Sequence, residues 1–255
     1  MQITVNGIVI KEKNIDEDDR LLWILTKDKG VISAYAKGAK RIKSSMASST
    51  EFLCYSRFVI FRNRDRHWVD KADSNNVFFG VRGDIEKLAL ASYIAQLTAE
   101  LVPEGECSEE YLRLVLNTLH MLDKNLRSAA LLKPLFELRL LSMSGYMPDL
   151  VACRGCRCYT HDAMHFSPLS GELSCPNCLD ETPMVDGVAV PPSVLAAMRH
   201  IIYIDFEKLF NFSLPDEHLK YLSWVGSQYL KARIEKNLPA LDFYETIMLD
   251  TPVAT

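Results

Sequence analysis

The sequence predicts an α+β multidomain chain: an N-terminal five-stranded β-barrel, followed by a C-terminal α-helical domain carrying an inserted four-cysteine zinc ribbon. Three observations predict it. Five short β-rich runs separated by turn or polar segments fill about the first eighty residues. After Gly83 the apolar period becomes helical. Cys153 and Cys156, then Cys175 and Cys178, form two C-x2-C pairs separated by eighteen residues. The corresponding domains are 1–80, 81–149 with 181–255, and 150–180.

The strands are expected at Ile3 to Ile10, Leu21 to Thr26, Val31 to Ala36, Phe52 to Phe61 and from Trp68 onward, with Lys29-Gly30 making a hairpin between the second and third. Lys37 to Thr50, rich in Gly, Ser and Lys, reads as a long exposed loop. Five short strands with one basic loop suit a small barrel of the oligonucleotide-binding (OB) type. Asp84 caps a helix with Ile85, Leu88, Ile94, Leu97 and Leu101 on one buried face, ending before Pro103. Ser108 caps a second helix, and a third runs from about Ser128 to Ser144, with Pro134 starting or kinking its regular part. Beyond the insert, a loop with Pro183, Gly187, Pro191 and Pro192 precedes helices at 193–207 and 215–236.

Each C-x2-C pair presents two thiolates to one tetrahedral ion, the geometry of a structural Zn2+ site. Disulfide pairing is the alternative, but seven cysteines is an odd number and no secretory segment is expected. Four thiolates leave no open coordination position, so one zinc ion would hold the fold without performing catalysis. Cys158, His161 and His165 lie within the insert as competing ligands, and the two histidines read as surface residues. Cys54 and Cys107 read as ordinary half-buried thiols.

The net charge of −4 conceals an asymmetry: residues 1–80 carry 14 Lys and Arg against 10 Asp and Glu, a net of +4. Residues 30–66 alone hold Lys37, Lys40, Arg41, Lys43, Arg57, Arg62, Arg64 and Arg66 against Glu51 and Asp65, a net of +6. Such clustering is the footprint of a polyanion surface, with the loop from Lys37 to Lys43 following a phosphate backbone. The arginines interleave with Tyr55, Phe58, Phe61 and Trp68, so bases can stack beside guanidinium groups, although Phe58 and Phe61 are expected to fill the barrel. No phosphate-binding loop, H-E-x-x-H, zinc-deaminase signature or G-x-S-x-G occurs, so no enzyme is expected. The acidic run Asp16 to Asp19 is read as a solvated turn, with a divalent-metal nuclease site as its rival. The first residues read as a strand with no positive leader, from which a cytoplasmic protein is expected.

Gly7 to Ile10, Asp18 to Leu22, Leu25-Thr26 with Lys29-Gly30, Ala36 to Arg41 with Lys43-Ser44, Phe136 to Leu141, Gly145 to Pro148 and the paired cysteines form an ordered set. Over nearly the whole chain this set resembles the RecO family of bacterial recombination mediators. The resemblance implies binding of single- and double-stranded DNA and annealing of complementary strands. It also implies contacts with RecR and the tail of the single-stranded DNA-binding protein, help in loading RecA, and association with the nucleoid during repair. It further implies backbone contacts from Lys37, Lys40, Arg41 and Lys43, and metal ligation by Cys153, Cys156, Cys175 and Cys178. The alternative function is a zinc-ribbon adaptor that binds protein or RNA without direct DNA activity.

Overall fold

Period-two alternation at the N-terminal end closes a barrel. In this computed structural model, which describes residues 2–64, 66–105 and 108–250 (side chains to 248), β1 (Gln2–Asn14), β2 (Arg20–Thr26), β3 (Val31–Ala36), β4 (Tyr55–Asn63) and β5 (Arg66–Asn76) form a closed sheet in the order β1-β2-β3-β5-β4. The inner face packs Val5, Val9, Leu22, Ile24, Ile32, Ala34, Ala36, Phe58, Ile60, Val69 and Ala72. Truncating a core aromatic such as Phe58 to Ala costs about 3–5 kcal/mol. Gly7 is required where β1 crosses β2, since a Cβ there would sit 2.6 Å from Ile24 Cγ2 and 2.7 Å from the Leu25 carbonyl oxygen.

Two β-bulges set which side chains face outward. Val9 pairs with Ile24 but Lys11 pairs with Trp23, so β1 carries one extra residue, and Lys11 and Lys13 leave the inward parity of Val5 and Val9. Likewise Val59 pairs with Lys71 and Ile60 with Val69, which turns Trp68 outward although it shares the parity of inward Ala72.

The chain divides into two compact units, residues 1–126 with 238–255 and residues 127–237. In the first, α1 (Phe79–Arg82), α2 (Ile85–Leu101), α3 (Glu109–Asp123) and α8 (Pro239–Asp250) accompany the barrel. Asp84 caps α2 as expected, accepting from the Glu86 and Lys87 amides. Ser108 precedes α3, but its hydroxyl donates to the Thr26 carbonyl and caps nothing. Rather than one apolar face, α2 buries residues all round, Leu90, Tyr93, Ile94 and Leu97 among them, because β1, α1, α3 and α8 pack about it.

In the second unit α4 (Ala129–Met143), α6 (Pro192–Tyr203) and α7 (Asp216–Arg233) pack together, with Pro134 inside α4. Between α4 and α7, buried Lys133 Nζ donates at 2.8 Å to both Glu137 Oε1 and Ser227 Oγ. The insert is a four-stranded sheet of β6 (Asp149–Cys153), β8 (Glu172–Ser174), β7 (Met164–Ser167) and β9 (Val188–Val190), with α5 (Pro176–Glu181) following β8. It thus takes in a strand beyond residue 180. Side chains cover both of its edges: Arg199 Nε donates to the Leu150 carbonyl and Tyr221 to that of Ala189. No helix among the described residues is long and apolar enough to cross a membrane.

Candidate functional site

Two sites emerge, one in each unit. In the second unit the four predicted cysteines converge: the Sγ atoms of Cys153, Cys156, Cys175 and Cys178 all lie within 4.8 Å of one another. Cys153 closes β6, Cys156 follows in a tight turn, Cys175 precedes α5 and Cys178 lies in its first turn. Cys156 and Cys175 Sγ are 3.6 Å apart, against about 3.8 Å between sulfurs around a tetrahedral ion with 2.3 Å bonds. A Cβ on Gly155 would stand 2.8 Å from Cys178 Sγ, so the first knuckle has room for glycine alone. The backbone supports charge on these sulfurs. Burial works against the Cys153 thiolate, but amides of Cys175, Cys156 and Gly155 outweigh it and hold the thiol to about 6. Cys178, hydrogen-bonded first of all to Cys156, is pushed up to about 12 and keeps its proton until a cation replaces it. The residues therefore fit one metal ion.

Cys158 is beside the cluster and not in it; its carbonyl accepts from the Cys153 amide and its thiol is pushed up to about 12 by Cys156. His161 is exposed and accepts from the Ala163 amide, while His165 lies on β7. Cys54 is fully buried rather than half-buried, and burial pushes its thiol up. Cys107 lies outside the described residues.

The second site is the outer surface of the barrel. Strand register carries a row across four strand pairs: Lys13 opposite Leu21, Leu21 opposite Tyr35, Tyr35 opposite Trp68, Trp68 opposite Phe61. The Tyr35 and Trp68 rings are 5.1 Å apart at 30°, with the Arg66 guanidinium 5.5 Å over Tyr35. Next to this row Lys11 Nζ lies 4.9 Å over the Trp23 ring. Phe58 fills the barrel as expected, but Phe61 is 38% exposed and belongs to the outer row. Arg57, Arg62, Arg64 and Arg66 are all exposed. Sequence reasoning missed Trp23, Tyr35, Lys11 and Lys13; the signal was the alternation Leu21-x-Trp23 and Ser33-x-Tyr35, aromatic where the opposite parity is core.

The segment from Lys37 to Thr50 is not simply exposed, since Ala39, Ser49 and Thr50 are buried. Nor is Asp16 to Asp19 only a solvated turn. Asp16 Oδ1 accepts from the Asp18 and Asp19 amides, Asp19 Oδ1 accepts from the Gly38 amide at 2.7 Å, and Asp18 Oδ2 pairs with Arg41 Nε at 2.8 Å. Lys40 Nζ donates to the Asp16 carbonyl at 3.3 Å, whereas Lys37 and Lys43 extend as exposed cations. The acidic run is engaged with the basic loop.

The family described as Recombination protein O N terminal matches residues 1–78, and that described as Recombination protein O C terminal matches residues 82–242. Among similar proteins, DNA repair protein RecO of Acetivibrio thermocellus is 36% identical over 245 residues, covering 96% of this chain and 97% of that protein. Proteins of the same name from Symbiobacterium thermophilum and Alkaliphilus metalliredigens are 29% and 28% identical over 95% and 97% of this chain, and over 96% and 100% of their own lengths.

Proposed function

For this chain, which belongs to the RecO family of DNA repair proteins, we propose a non-enzymatic mediator of repair and homologous recombination that binds single- and double-stranded DNA and promotes annealing. The observation that carries this reading is the outer barrel band, where Tyr35, Trp68, Phe61 and Trp23 lie among Lys11, Lys13 and Arg66. An aromatic face stacks any base for about 1–3 kcal/mol, and cations beside it hold the phosphates. Arg57, Arg62, Arg64, Arg66, Lys37, Lys40, Arg41 and Lys43 supply charge around the band. Annealing then requires no covalent step: two polyanions on one cationic surface repel each other less, and base pairing supplies the free energy. The barrel, residues 1–80, is the DNA-binding part. Residues 81–149 with 181–255 serve as the body that docks RecR and the tail of the single-stranded DNA-binding protein, so that RecA is loaded in the cytoplasm at the nucleoid.

The cysteine knuckles, within residues 150–180, take one Zn2+. Bound there, zinc cross-links the two knuckles and supplies stability alone, because all four positions are thiolate. Cys153 receives it already ionised, Gly155 keeps the knuckle tight, and Cys178 yields its proton. Fluorescence anisotropy of an unstructured labelled strand, titrated at several salt concentrations and followed by an annealing assay, tests the reading. Binding that weakens by a slope of about 0.7 per phosphate neutralised supports it; no binding at low salt by folded, metal-loaded protein rejects it.

A further inference from the structure

Part of the charge of the basic loop is already engaged by the acidic turn. Of the four cations from Lys37 to Lys43, Arg41 pairs with Asp18 and Lys40 Nζ donates to the Asp16 carbonyl, while Lys37 and Lys43 extend as exposed cations. The contacts fall into two kinds. Backbone groups dock the loop: the Gly38 amide on Asp19 Oδ1 at 2.7 Å and the Lys40 amide on the Asp18 carbonyl at 2.9 Å. The acidic turn is itself held by Asp16 Oδ1, which accepts from the Asp18 and Asp19 amides at 3.0 and 2.8 Å. Among the described residues, Asp18 is the one carboxylate of the turn paired with a cationic side chain, that of Arg41. That pair is open to water, with the two side chains 63% and 45% exposed. An exposed pair is screened and exchangeable. A phosphate presents the same acceptor geometry to a guanidinium as a carboxylate does.

We propose that the Asp16–Asp19 turn is a built-in competitor for the basic loop: Asp18 holds Arg41 in the free protein, and a polyanion must displace it to engage the loop fully. This rests on the reading of the barrel as a nucleic-acid surface. Backbone docking keeps the loop in place throughout, so displacement releases charge without unfolding the turn. The loop thereby discriminates against isolated or weakly charged anions, which gain too little to replace a carboxylate already in position. A strand bringing several phosphates at once does not face that barrier.

The test uses Glu17→Gln with Asp18→Asn, which leaves Asp16 and Asp19 to hold the turn, in the full-length metal-loaded protein. A labelled oligothymidylate is titrated against parent and variant between about 50 and 300 mM salt, the range over which phosphate neutralisation is read. The variant is expected to bind about fivefold more tightly at about 0.1 M salt with a slope steeper by about 0.7, the contribution of one further phosphate contact on a single strand. Adding Arg41→Gln distinguishes a released Arg41 from a general loss of negative charge: the gain should vanish in the triple variant. Unchanged or weaker binding by the double variant with an unchanged melting temperature, or a gain that survives Arg41→Gln, overturns the inference. A parent protein that binds no strand at any salt concentration removes the nucleic-acid reading and this inference with it, whereas a binding parent with an indifferent variant removes only the inference.

Discussion

The cysteine knuckles and the outer barrel band build sites in opposite ways. At the knuckles, groups 22 residues apart in sequence, such as Cys153 and Cys175, converge so that the Cys175 amide lies 3.3 Å from Cys153 Sγ. In the barrel band, side chains from all five strands spread over an outer surface, and Tyr35 touches Trp68 only because β3 and β5 pair in parallel. A convergent site turns its donors inward, where they fit a single ion, and presents little to a larger partner. A spread site leaves ring faces and cations facing outward.

If the knuckles are a staple, removing their ion should produce the largest effect in the molecule. Elemental analysis should find about one zinc per chain, and chelation should lower the melting temperature by about 10 °C or more, since ligand binding to the folded state alone is folding free energy. Gly155→Ala should impair metal loading as a cysteine substitution does, because its Cβ would meet Cys178 Sγ at 2.8 Å. Cys158→Ser should leave the metal content unchanged; loss of the ion in that variant would move Cys158 into the ligand set.

Loading should also depend on pH with a definite sign. Cys153, held to about 6, lies below its ordinary value of 9.0, so its contribution to stability is present above about pH 9 and is lost as pH falls through 6. Cys178, pushed up to about 12, behaves in reverse and must surrender a proton to the metal. Zinc affinity measured against a competing chelator between about pH 6 and 8 should therefore rise with pH, by up to about tenfold per unit for each proton displaced. A flat profile would contradict the protonation pattern.

On the barrel side, Trp68→Ala and Tyr35→Ala should each weaken single-strand binding by about 1–3 kcal/mol, roughly fivefold to 150-fold, while leaving the salt slope nearly unchanged. Metal content should not move, which would keep the two regions functionally separate. Reversing Lys37 and Lys43 to Glu should act differently, weakening binding to all sequences and lowering the salt slope by about 0.7 for each phosphate no longer neutralised. Equal losses in slope from the aromatic and the lysine variants would erase the distinction between stacking and charge.

The sequence was a sufficient guide wherever the physics is local. The C-x2-C spacing marks thiols that can share one ion, so the four cysteines that converge were legible, as were the five strands from their alternation and α2 from Asp84. The remainder required the folded chain. Bulges after Val9 and Val59 reversed the facing of Lys11, Lys13 and Trp68, because a single inserted residue exchanges the two sides of a strand. α8 was not foreseen, nor was its packing on α2, which buries a helix whose pattern promised only one covered face. The acidic turn became a partner of the basic loop because antiparallel pairing of β2 with β3, Arg20 opposite Ala36, brings Asp18 within 2.8 Å of Arg41 across 23 residues. Such pairings depend on register and closure, which no run of adjacent residues encodes.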